Sequence, residues 1–581
     1  MANLMTILLS TSVWGVVCAL DNSTGPAFQL PVVDLGYGVH SASFNSTGNY
    51  YNFSNIRYAE PPLGSLRFAA PVPPRGRNLT VDDGSIARIC PQAYPSGAVR
   101  NQVFNTHYSL TGKTGLEDFE NATRGFDYPR NTPQDPRATE DCLFLDVMVP
   151  QEVFNKRYST AQRLGRGAAV MVWIHGGGYA AGTKFDTPPA GLISRSQDGG
   201  KEGIIYVSMN YRLGALGWLS GPSFAVDGTT NAGFYDQRLA LEWVRDNIYR
   251  FGGDPNRVTV FGESAGGGSI AHQIAAFGGE RGRVPFQRAI LESPGFTPTS
   301  GNNEQEDNFR KYLSLMNVST LEEARRLPSS VVQAASELQV RTSKPGSFSF
   351  GPSVDGVFVP ELLSLLFLHG RFDHSVETMV GHNGDEGVGY PVLRNNQEFE
   401  AYVALTFPNA PDYVQRYISQ KLYPPVLETE GDVLEDYDPI KSEALIVTGY
   451  NTAHGRQTIF TSETVINCLT HYVNKAFRGR TYSYVFGAPP ALHGQELYYV
   501  FYNEQATDVF FRPLNRTLAH IMQDYWINFA KFGDPNGEGL PHFSRWGNDS
   551  SVQELSLARV GPRMDPLNRN RCGWWQLGLY V

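Results

Sequence analysis

The sequence predicts an α/β protein with a large, mostly parallel and twisted β-sheet flanked by helices. Continuous apolar runs at residues 168–175, 203–208 and 258–261 are typical of strands that are buried on both faces of such a sheet. Between the last two runs, residues 236–249 carry apolar side chains at near-helical spacing. This strand–helix–strand order predicts right-handed crossovers between parallel strands.

Composition indicates a large globular chain with many loops. Its 581 residues are 41% hydrophobic and 18% charged, so the chain can fill a sizeable core and is not disordered. The formal net charge of −9 argues against nucleic acid or an anionic membrane surface as a partner. The 59 glycines and 37 prolines favour a mixed, turn-rich scaffold over a helical bundle.

The chain shows no internal repeat and no low-complexity linker, so we expect residues 20–581 to form a single domain. The polar stretch at residues 91–141 and the segments at residues 300–350 and 395–445 are interpreted as long loop insertions in that domain.

Residues 1–19 are expected to be a signal peptide. They contain no Asp, Glu, Lys or Arg, and the apolar stretch ends in Val17-Cys18-Ala19, a small-residue cleavage pattern. An N-terminal anchor or a buried strand is the alternative, but the run is short for a membrane span. No later stretch is apolar enough to cross a bilayer, and the C-terminus does not resemble a lipid-anchor signal. The sequence therefore predicts a secreted protein without an integral membrane anchor.

Cysteines and glycosylation motifs agree with secretion. Four cysteines remain after the signal is removed, and they allow three pairings, although four buried thiols are the alternative. Of the Asn-x-Ser/Thr motifs, the one at Asn52 lies in a strand-like run. The four cysteines are Cys90, Cys142, Cys468 and Cys572, and the eight predicted glycosylation sites are Asn22, Asn45, Asn52, Asn78, Asn121, Asn317, Asn515 and Asn548.

A serine nucleophile is predicted at Ser264. It is the central residue of a Gly-x-Ser-x-Gly pentapeptide at residues 262–266, between a predicted strand and a helix-like segment. A strand-to-helix turn of this kind exposes the serine hydroxyl near a helix N-terminus, which favours developing negative charge. A plain turn with an N-capping serine is the alternative interpretation.

Backbone donors for an oxyanion are predicted close to that serine. Gly177 and Gly178, in the Gly-Gly-Gly run after the first buried strand, leave the backbone free to aim N–H groups at one point. Ala265, the residue after the serine, supplies a further N–H group. The alternative for the glycine run is a flexible turn.

Five longer motifs extend these observations over nearly all of the chain after the signal. They occupy residues 58–68, 140–145, 210–214, 231–237 and 251–255. On these motifs the chain resembles the type-B carboxylesterase/lipase family of α/β-hydrolases, which includes the cholinesterases and the fungal lipases. The resemblance implies an α/β-hydrolase fold with long loop insertions and a secreted serine carboxylic ester hydrolase.

The resemblance implies a catalytic triad of Ser264, Glu386 and His493. The acid is matched within residues 383–387, where Asp385 is the neighbouring candidate, and the histidine within residues 493–497. The residues alone do not distinguish His493 from the other eleven histidines, such as His382 or His471. The order Ser, Glu, His is the chain order of α/β-hydrolases.

The resemblance also assigns supporting residues. It places Ser293 beside the triad, where it would act through the catalytic residues, and it implies no metal and no organic cofactor. It further implies a disulfide between Cys90 and Cys142 and another between Cys468 and Cys572.

The substrate is expected to be a small-molecule ester. Cholinesterases stack the choline cation on a Trp within the first disulfide loop, and no Trp occurs between Cys90 and Cys142. Residues 96–104 make a weak match to an amphipathic lipase lid, so a general carboxylesterase is preferred over a lipase acting on longer-chain acylglycerols. An acyltransferase or an esterase for a specialised metabolite is a further alternative. A non-catalytic binding or adhesion member is the remote one, because such members lack the Ser or the His.

Overall fold

A computed structural model describes most of the chain. The described residues are 30–96, 135–158, 167–295, 301–388, 393–426, 448–505, 515–567 and 569–581, with positions 103, 121, 123–124, 391, 446 and 513. The predicted signal peptide at residues 1–19 and Asn22 lie outside the described residues, as does most of the lid candidate at residues 96–104.

An eleven-stranded mixed sheet forms the centre of the molecule. Its order is β14-β13-β12-β11-β10-β9-β7-β8-β6-β4-β3, and a separate three-stranded sheet has the order β1-β2-β5. The strands from β8 to β13 in this order run parallel to their neighbours, while β6, β4, β3 and β14 pair antiparallel at the two margins. The prediction of a mostly parallel sheet is therefore confirmed. In chain order the strands are β1 Val32–Asp34, β2 Val39–Ser41, β3 Ser43–Asn45, β4 Tyr50–Arg57, β5 Val81–Asp82, β6 Phe144–Pro150, β7 Ala168–Ile174, β8 Ile205–Met209, β9 Gly253–Glu263, β10 Arg288–Glu292, β11 Glu377–Asn383, β12 Tyr482–Phe486, β13 Ser551–Leu555 and β14 Val560–Met564.

Helices accompany the strands, and the segments predicted as insertions at 300–350 and 395–445 contribute several of them. The α-helices in the described residues are Gln151–Asn155, Ala190–Ser196, Gly214–Trp218, Pro222–Ala225, Ala232–Asn247, Ala265–Ile274, Asn302–Leu315, Leu321–Arg326, Ser329–Arg341, Leu363–Leu368, Asn396–Thr406, Asp412–Tyr417, Ala453–Thr461, Cys468–Ala476, Leu497–Val500, Arg516–Phe532 and Arg569–Gln576. Among the described residues, no helix is long and apolar enough to span a bilayer.

The core lies on both faces of the central sheet, which explains the continuous apolar runs in the sequence. Along β7, Val170 and Val172 pack into one hydrophobic cluster, and Met171 and Trp173 pack into a second one. Successive side chains of a strand point to opposite faces, so a strand that is covered on both faces needs apolar residues throughout.

The strand order places a crevice above the centre of the sheet. Strands β8 and β9 follow β7 in the chain but lie on opposite sides of it. In open α/β sheets the connections leave in opposite directions at such a point, and ligands bind outside the carboxyl ends of the strands there. His175 and Ser264, the residues that follow β7 and β9, lie at this point.

Both disulfides implied by the family resemblance are present. Cys90 is bonded to Cys142 across 52 residues, and Cys468 is bonded to Cys572 across 104 residues. On the chain-entropy model, closing a loop of the shorter length stabilises the fold by about 4 kcal/mol.

The predicted glycosylation sites differ in exposure. Asn78, Asn121, Asn317 and Asn548 are exposed, whereas Asn45, Asn52 and Asn515 are half-buried, with Asn52 inside β4. Occupancy of these sites stays a prediction.

Candidate active site

The predicted nucleophile sits on a strained turn between a strand and a helix. Ser264 follows β9 and precedes the helix Ala265–Ile274, with φ of 58° and ψ of −125°. A Cβ added at Gly262 would lie 2.5 Å from the Ile174 carbonyl oxygen, and one at Gly266 would lie 2.0 Å from it. The two glycines of the pentapeptide are therefore required because the end of β7 passes directly beside the turn.

The structure brings His493 to this serine. The His493 Nε2 atom lies 2.9 Å from Ser264 Oγ, which is hydrogen-bond distance. His493 belongs to the connection after β12, and that connection is tied to the one after β11 by a hydrogen bond of 2.9 Å from Asp385 N to Ala491 O. The loops that carry the predicted acid and base are thus joined to each other beside the nucleophile.

Glu386 is the carboxylate that contacts Nδ1 of the imidazole. Its Oε2 lies 2.6 Å from His493 Nδ1, and its Oε1 accepts a hydrogen bond of 2.6 Å from Asn383 N. Burial alone would raise the pKa of Glu386, but the attraction of His493 and these hydrogen bonds lower it, so the group is ionised. A neutral imidazole that donates from Nδ1 to Glu386 keeps Nε2 free to accept the Ser264 proton.

The other candidates for acid and base lie elsewhere. Asp385 is buried and its Oδ1 has no hydrogen-bond partner within the described structure, and burial followed by the charge of Glu386 raises its pKa to about 7. His382 Nδ1 lies 2.8 Å from the Asn383 carbonyl oxygen, and the ring of His471 packs near Trp546. In the structure Glu386 Oε2 contacts His493 Nδ1 and His493 Nε2 contacts Ser264 Oγ, and the roles of acid and base stay predictions.

The glycine loop lies against the nucleophile. A Cβ added at Gly176 would lie 3.0 Å from Ser264 Cβ. Gly177 and Gly178 adopt φ angles of 100° and 61°, which L side chains rarely reach. In the described part of the chain, the N–H groups of Gly177, Gly178 and Ala265 have no protein acceptor. A role for these three N–H groups as donors to a ligand oxygen stays a prediction.

Two buried carboxyl groups around the base were not predicted from the sequence. Glu263 Oε1 lies 3.2 Å from His493 Nε2, and Glu496 Oε1 lies 2.9 Å from Ser293 Oγ. Burial raises the pKa of both glutamates, although the nearby His493 counteracts the shift at Glu263. Glu263 is the variable residue of the Gly-x-Ser-x-Gly pentapeptide, and Glu496 lies within the histidine motif. Both were therefore inside motifs already identified, but their burial is a tertiary property.

Ser293, which the resemblance places beside the triad, follows β10 with a φ of 42°, and its Oγ donates a hydrogen bond of 2.9 Å to Glu496 Oε1. Its action through the catalytic residues stays a prediction.

No group of three or more His, Cys, Asp or Glu side chains in the described ranges is arranged to hold a metal ion.

The chain is similar to known proteins over nearly its whole length. Residues 35–575 match the Carboxylesterase family. The chain is 39% identical to Carboxylesterase patB of Penicillium expansum over 97% of this chain and 98% of that protein. It is 29% identical to Lipase 1 of Geotrichum candidum over 94% of this chain and 95% of that protein. The crystal structure of Aspergillus niger EstA has the same fold, with a TM-score of 0.74 and 24% identity over 95% of this chain and 99% of that one. The α/β-hydrolase fold and the family predicted from the sequence motifs are confirmed: the chain belongs to the carboxylesterase family and is a carboxylic ester hydrolase.

Proposed function

We propose that the protein is a secreted serine carboxylesterase that cleaves small-molecule esters through an acyl-enzyme on Ser264. The observation that carries the proposal is the chain of contacts from Ser264 Oγ to His493 Nε2, 2.9 Å, and from His493 Nδ1 to Glu386 Oε2, 2.6 Å. Nucleophile, base and orienting acid in this sequence are the parts that acyl transfer to serine requires.

The reaction proceeds in two halves. His493 Nε2 accepts the hydroxyl proton while Ser264 Oγ attacks the ester carbonyl carbon, and His493 then gives that proton to the departing alkoxide oxygen. Water next attacks the acyl-enzyme with His493 again as base, and the carboxylic acid leaves as Ser264 regains its proton.

Two sets of groups stabilise the charges that develop. The N–H groups of Gly177, Gly178 and Ala265 donate hydrogen bonds to the tetrahedral oxyanion. Glu386 stabilises the imidazolium and fixes the tautomer of His493. The buried carboxyl of Glu263 adds a further attraction for that cation.

A general carboxylesterase remains the preferred activity. A Cβ added at Gly178 would lie 2.4 Å from the Phe348 ring, so this half-buried ring lies against the proposed oxyanion loop, and we infer that it narrows the space for the acyl group. Long-chain acylglycerol hydrolysis, as in a lipase, and acyl transfer to an alcohol of a specialised metabolite are the alternatives. A steep rise in activity when the substrate forms micelles would favour the lipase, and an ester product formed with an added alcohol would favour the transferase.

Secretion is part of the proposal. Two disulfides support it, because such bonds persist in oxidising compartments. Residues 1–19 would be removed and residues 20–581 would form one enzyme domain. N-terminal sequencing of protein secreted by a eukaryotic host tests this, with Leu20 as the expected first residue and retention of Met1 as the contradicting result.

The catalytic proposal is tested with Ser264→Ala. We expect kcat for p-nitrophenyl acetate to fall by at least about 10⁴-fold, as the loss of a triad nucleophile does. Ser208→Ala is the matched control, because Ser208 is buried in β8 of the same sheet and its hydroxyl has no partner among the described residues. Wild-type activity in Ser264→Ala would end the serine-esterase proposal.

A further inference from the structure

The glycine loop at residues 175–182 is fastened at two points to the segment at residues 210–214, which follows β8. The hydroxyl of Tyr211 donates a hydrogen bond of 2.8 Å to the His175 carbonyl oxygen. Gly214 N donates a hydrogen bond of 2.8 Å to the Tyr179 carbonyl oxygen. The two fastened carbonyls lie on either side of Gly177 and Gly178, whose N–H groups are the proposed oxyanion donors.

The Tyr211 ring also holds the loop through the side chain of His175. The two rings are stacked, with centroids 4.4 Å apart and an interplanar angle of 16°. His175 Nδ1 lies 2.9 Å from the Gly176 carbonyl oxygen, and a Cβ added at Gly182 would lie 2.3 Å from the same nitrogen. The imidazole therefore touches both ends of the loop, and Tyr211 fixes the imidazole.

The segment at residues 210–214 is itself held by buried contacts, so it provides a fixed support to which the loop is hydrogen-bonded. Arg212 donates from Nε and Nη2 to both carboxylate oxygens of the buried Asp236, at 2.8 and 2.7 Å. The Tyr58 hydroxyl donates a hydrogen bond of 2.7 Å to the Asn210 carbonyl oxygen. A bidentate, charge-assisted pair and a buried hydrogen bond leave the segment little freedom to shift.

We propose that Tyr211 is a positioning residue that aims the N–H groups of Gly177 and Gly178 at the oxyanion. The proposal rests on the function assigned to Ser264. The Tyr211 hydroxyl fixes the carbonyl of the peptide that joins His175 to Gly176. The stacked His175 ring contacts the Gly176 carbonyl oxygen, so the constraint extends to the peptide that carries the Gly177 N–H group. Inside the loop, the Gly177 carbonyl oxygen accepts hydrogen bonds from Ala180 N and Ala181 N, at 3.2 and 3.0 Å, and Tyr211 adds a constraint from outside the loop.

Tyr312 provides a matched control. It is buried like Tyr211, with 0% of either residue exposed, and its hydroxyl also donates to a backbone carbonyl, that of Val332, at 3.0 Å. This hydrogen bond joins the helices Asn302–Leu315 and Ser329–Arg341 and involves neither the glycine loop nor the segment at residues 210–214. Removing either hydroxyl deletes one buried hydrogen bond of similar length, but only the bond of Tyr211 goes to the loop.

The experiment compares full-length Tyr211→Phe and Tyr312→Phe. We measure kcat and KM for p-nitrophenyl acetate, and Ki for an alkyl trifluoromethyl ketone, which adds to a serine hydroxyl and places an oxyanion among the backbone donors. For Tyr211→Phe we expect kcat to fall about 10- to 100-fold, since misaimed donors lose much of the 10²–10³-fold effect of a full donor. Ki should rise by the same factor with KM within about twofold, because only the tetrahedral state carries the charge. Tyr312→Phe should keep kcat and Ki within about twofold while losing a similar increment of melting temperature.

The outcomes separate the positioning role from a structural one. Insertion of 4-aminophenylalanine at position 211, which keeps a donor there, should restore most of kcat and Ki. Equal effects of the two phenylalanine variants on kcat and Ki, or no effect of Tyr211→Phe, would overturn the inference while the Ser264→Ala result leaves the proposed function standing.

Should Tyr211→Phe not fold, Gly214→Ala tests the second fastening point. Gly214 has a φ of 53°, and an added Cβ would lie 2.5 Å from Ser336 Oγ, so the donor to Tyr179 shifts. The same joint loss of kcat and ketone affinity is expected, and unchanged values for both would overturn the inference.

Discussion

Replacing the acid of the proposed triad separates two neighbouring carboxyl groups in one loop. Glu386 is buried, with 3% of the residue exposed, and Oε2 lies 2.6 Å from His493 Nδ1. Asp385 is equally buried, with 4% exposed, but its Oδ1 has no hydrogen-bond partner in the described structure. We predict that Glu386→Gln abolishes most activity and that Asp385→Asn does not.

The magnitude follows from what the Glu386 carboxylate does. Its charge stabilises the imidazolium that forms as Ser264 is deprotonated, and it accepts the proton on Nδ1. A glutamine amide can instead donate to Nδ1. The imidazole proton then lies on Nε2, and Nε2 can no longer accept the Ser264 proton. We expect kcat to fall about 10⁴-fold, which corresponds to about 5.4 kcal/mol.

The assay is the initial rate of p-nitrophenyl acetate hydrolysis under saturating substrate, with folding of each variant checked by circular dichroism. Asp385→Asn should keep kcat within about threefold, because burial and the charge of Glu386 raise the pKa of Asp385 to about 7 and its neutral form resembles asparagine. A loss below about tenfold in Glu386→Gln, or an equal loss in Asp385→Asn, would refute this assignment of the acid.

Three further predictions test the surroundings of the site. Burial opposes protonation of His493, but the charges of Glu263 and Glu386 raise its pKa. Only the neutral imidazole is a base, so Glu263→Gln should move the acid limb of the kcat/KM profile to lower pH. An unmoved limb would contradict this effect of Glu263. Burial raises the pKa of Glu292 to about 8 from 4.5, so the folded chain keeps a proton that the unfolded chain releases, and stability falls by about 1.4 kcal/mol per pH unit across that window. By calorimetry, Glu292→Gln should raise Tm at pH 8 and change it little near pH 4.5. Equal changes of Tm at both pH values would contradict the raised pKa of Glu292 as the cause. Phe348→Ala should raise the decanoate-to-acetate ratio of kcat/KM on p-nitrophenyl esters, and an unchanged ratio would exclude this ring as an acyl-length determinant.

The centre of the fold was predictable because its strands are buried on both faces. The run at residues 168–175 corresponds to β7, and the run at residues 203–208 overlaps β8. Strand β9 begins earlier than predicted, at Gly253, because an irregularity in its pairing with β7 accommodates the polar residues 254–257. The antiparallel margins were not predictable, since short, half-exposed strands such as β3 lack a continuous apolar run.

The site was predictable where a local motif reports a local constraint. Gly262 and Gly266 flank the serine because β7 leaves no room for a Cβ, and that requirement is visible in the sequence. His493 and Glu386 carry no such signature and were identified only through a family resemblance. Glu263 lay inside a known motif, yet its contact with His493 depends on two connections more than 200 residues apart in the chain.

Covalent labelling is the direct test of Ser264 as the nucleophile. A fluorophosphonate reacts only with an activated serine, so the wild-type enzyme should take up one label per chain with complete loss of esterase activity. Peptide mass spectrometry should place that label on Ser264, and Ser264→Ala should remain unlabelled. Inactivation with the label on any other residue, or full labelling of Ser264 with activity retained, would contradict the assignment of Ser264 as the nucleophile.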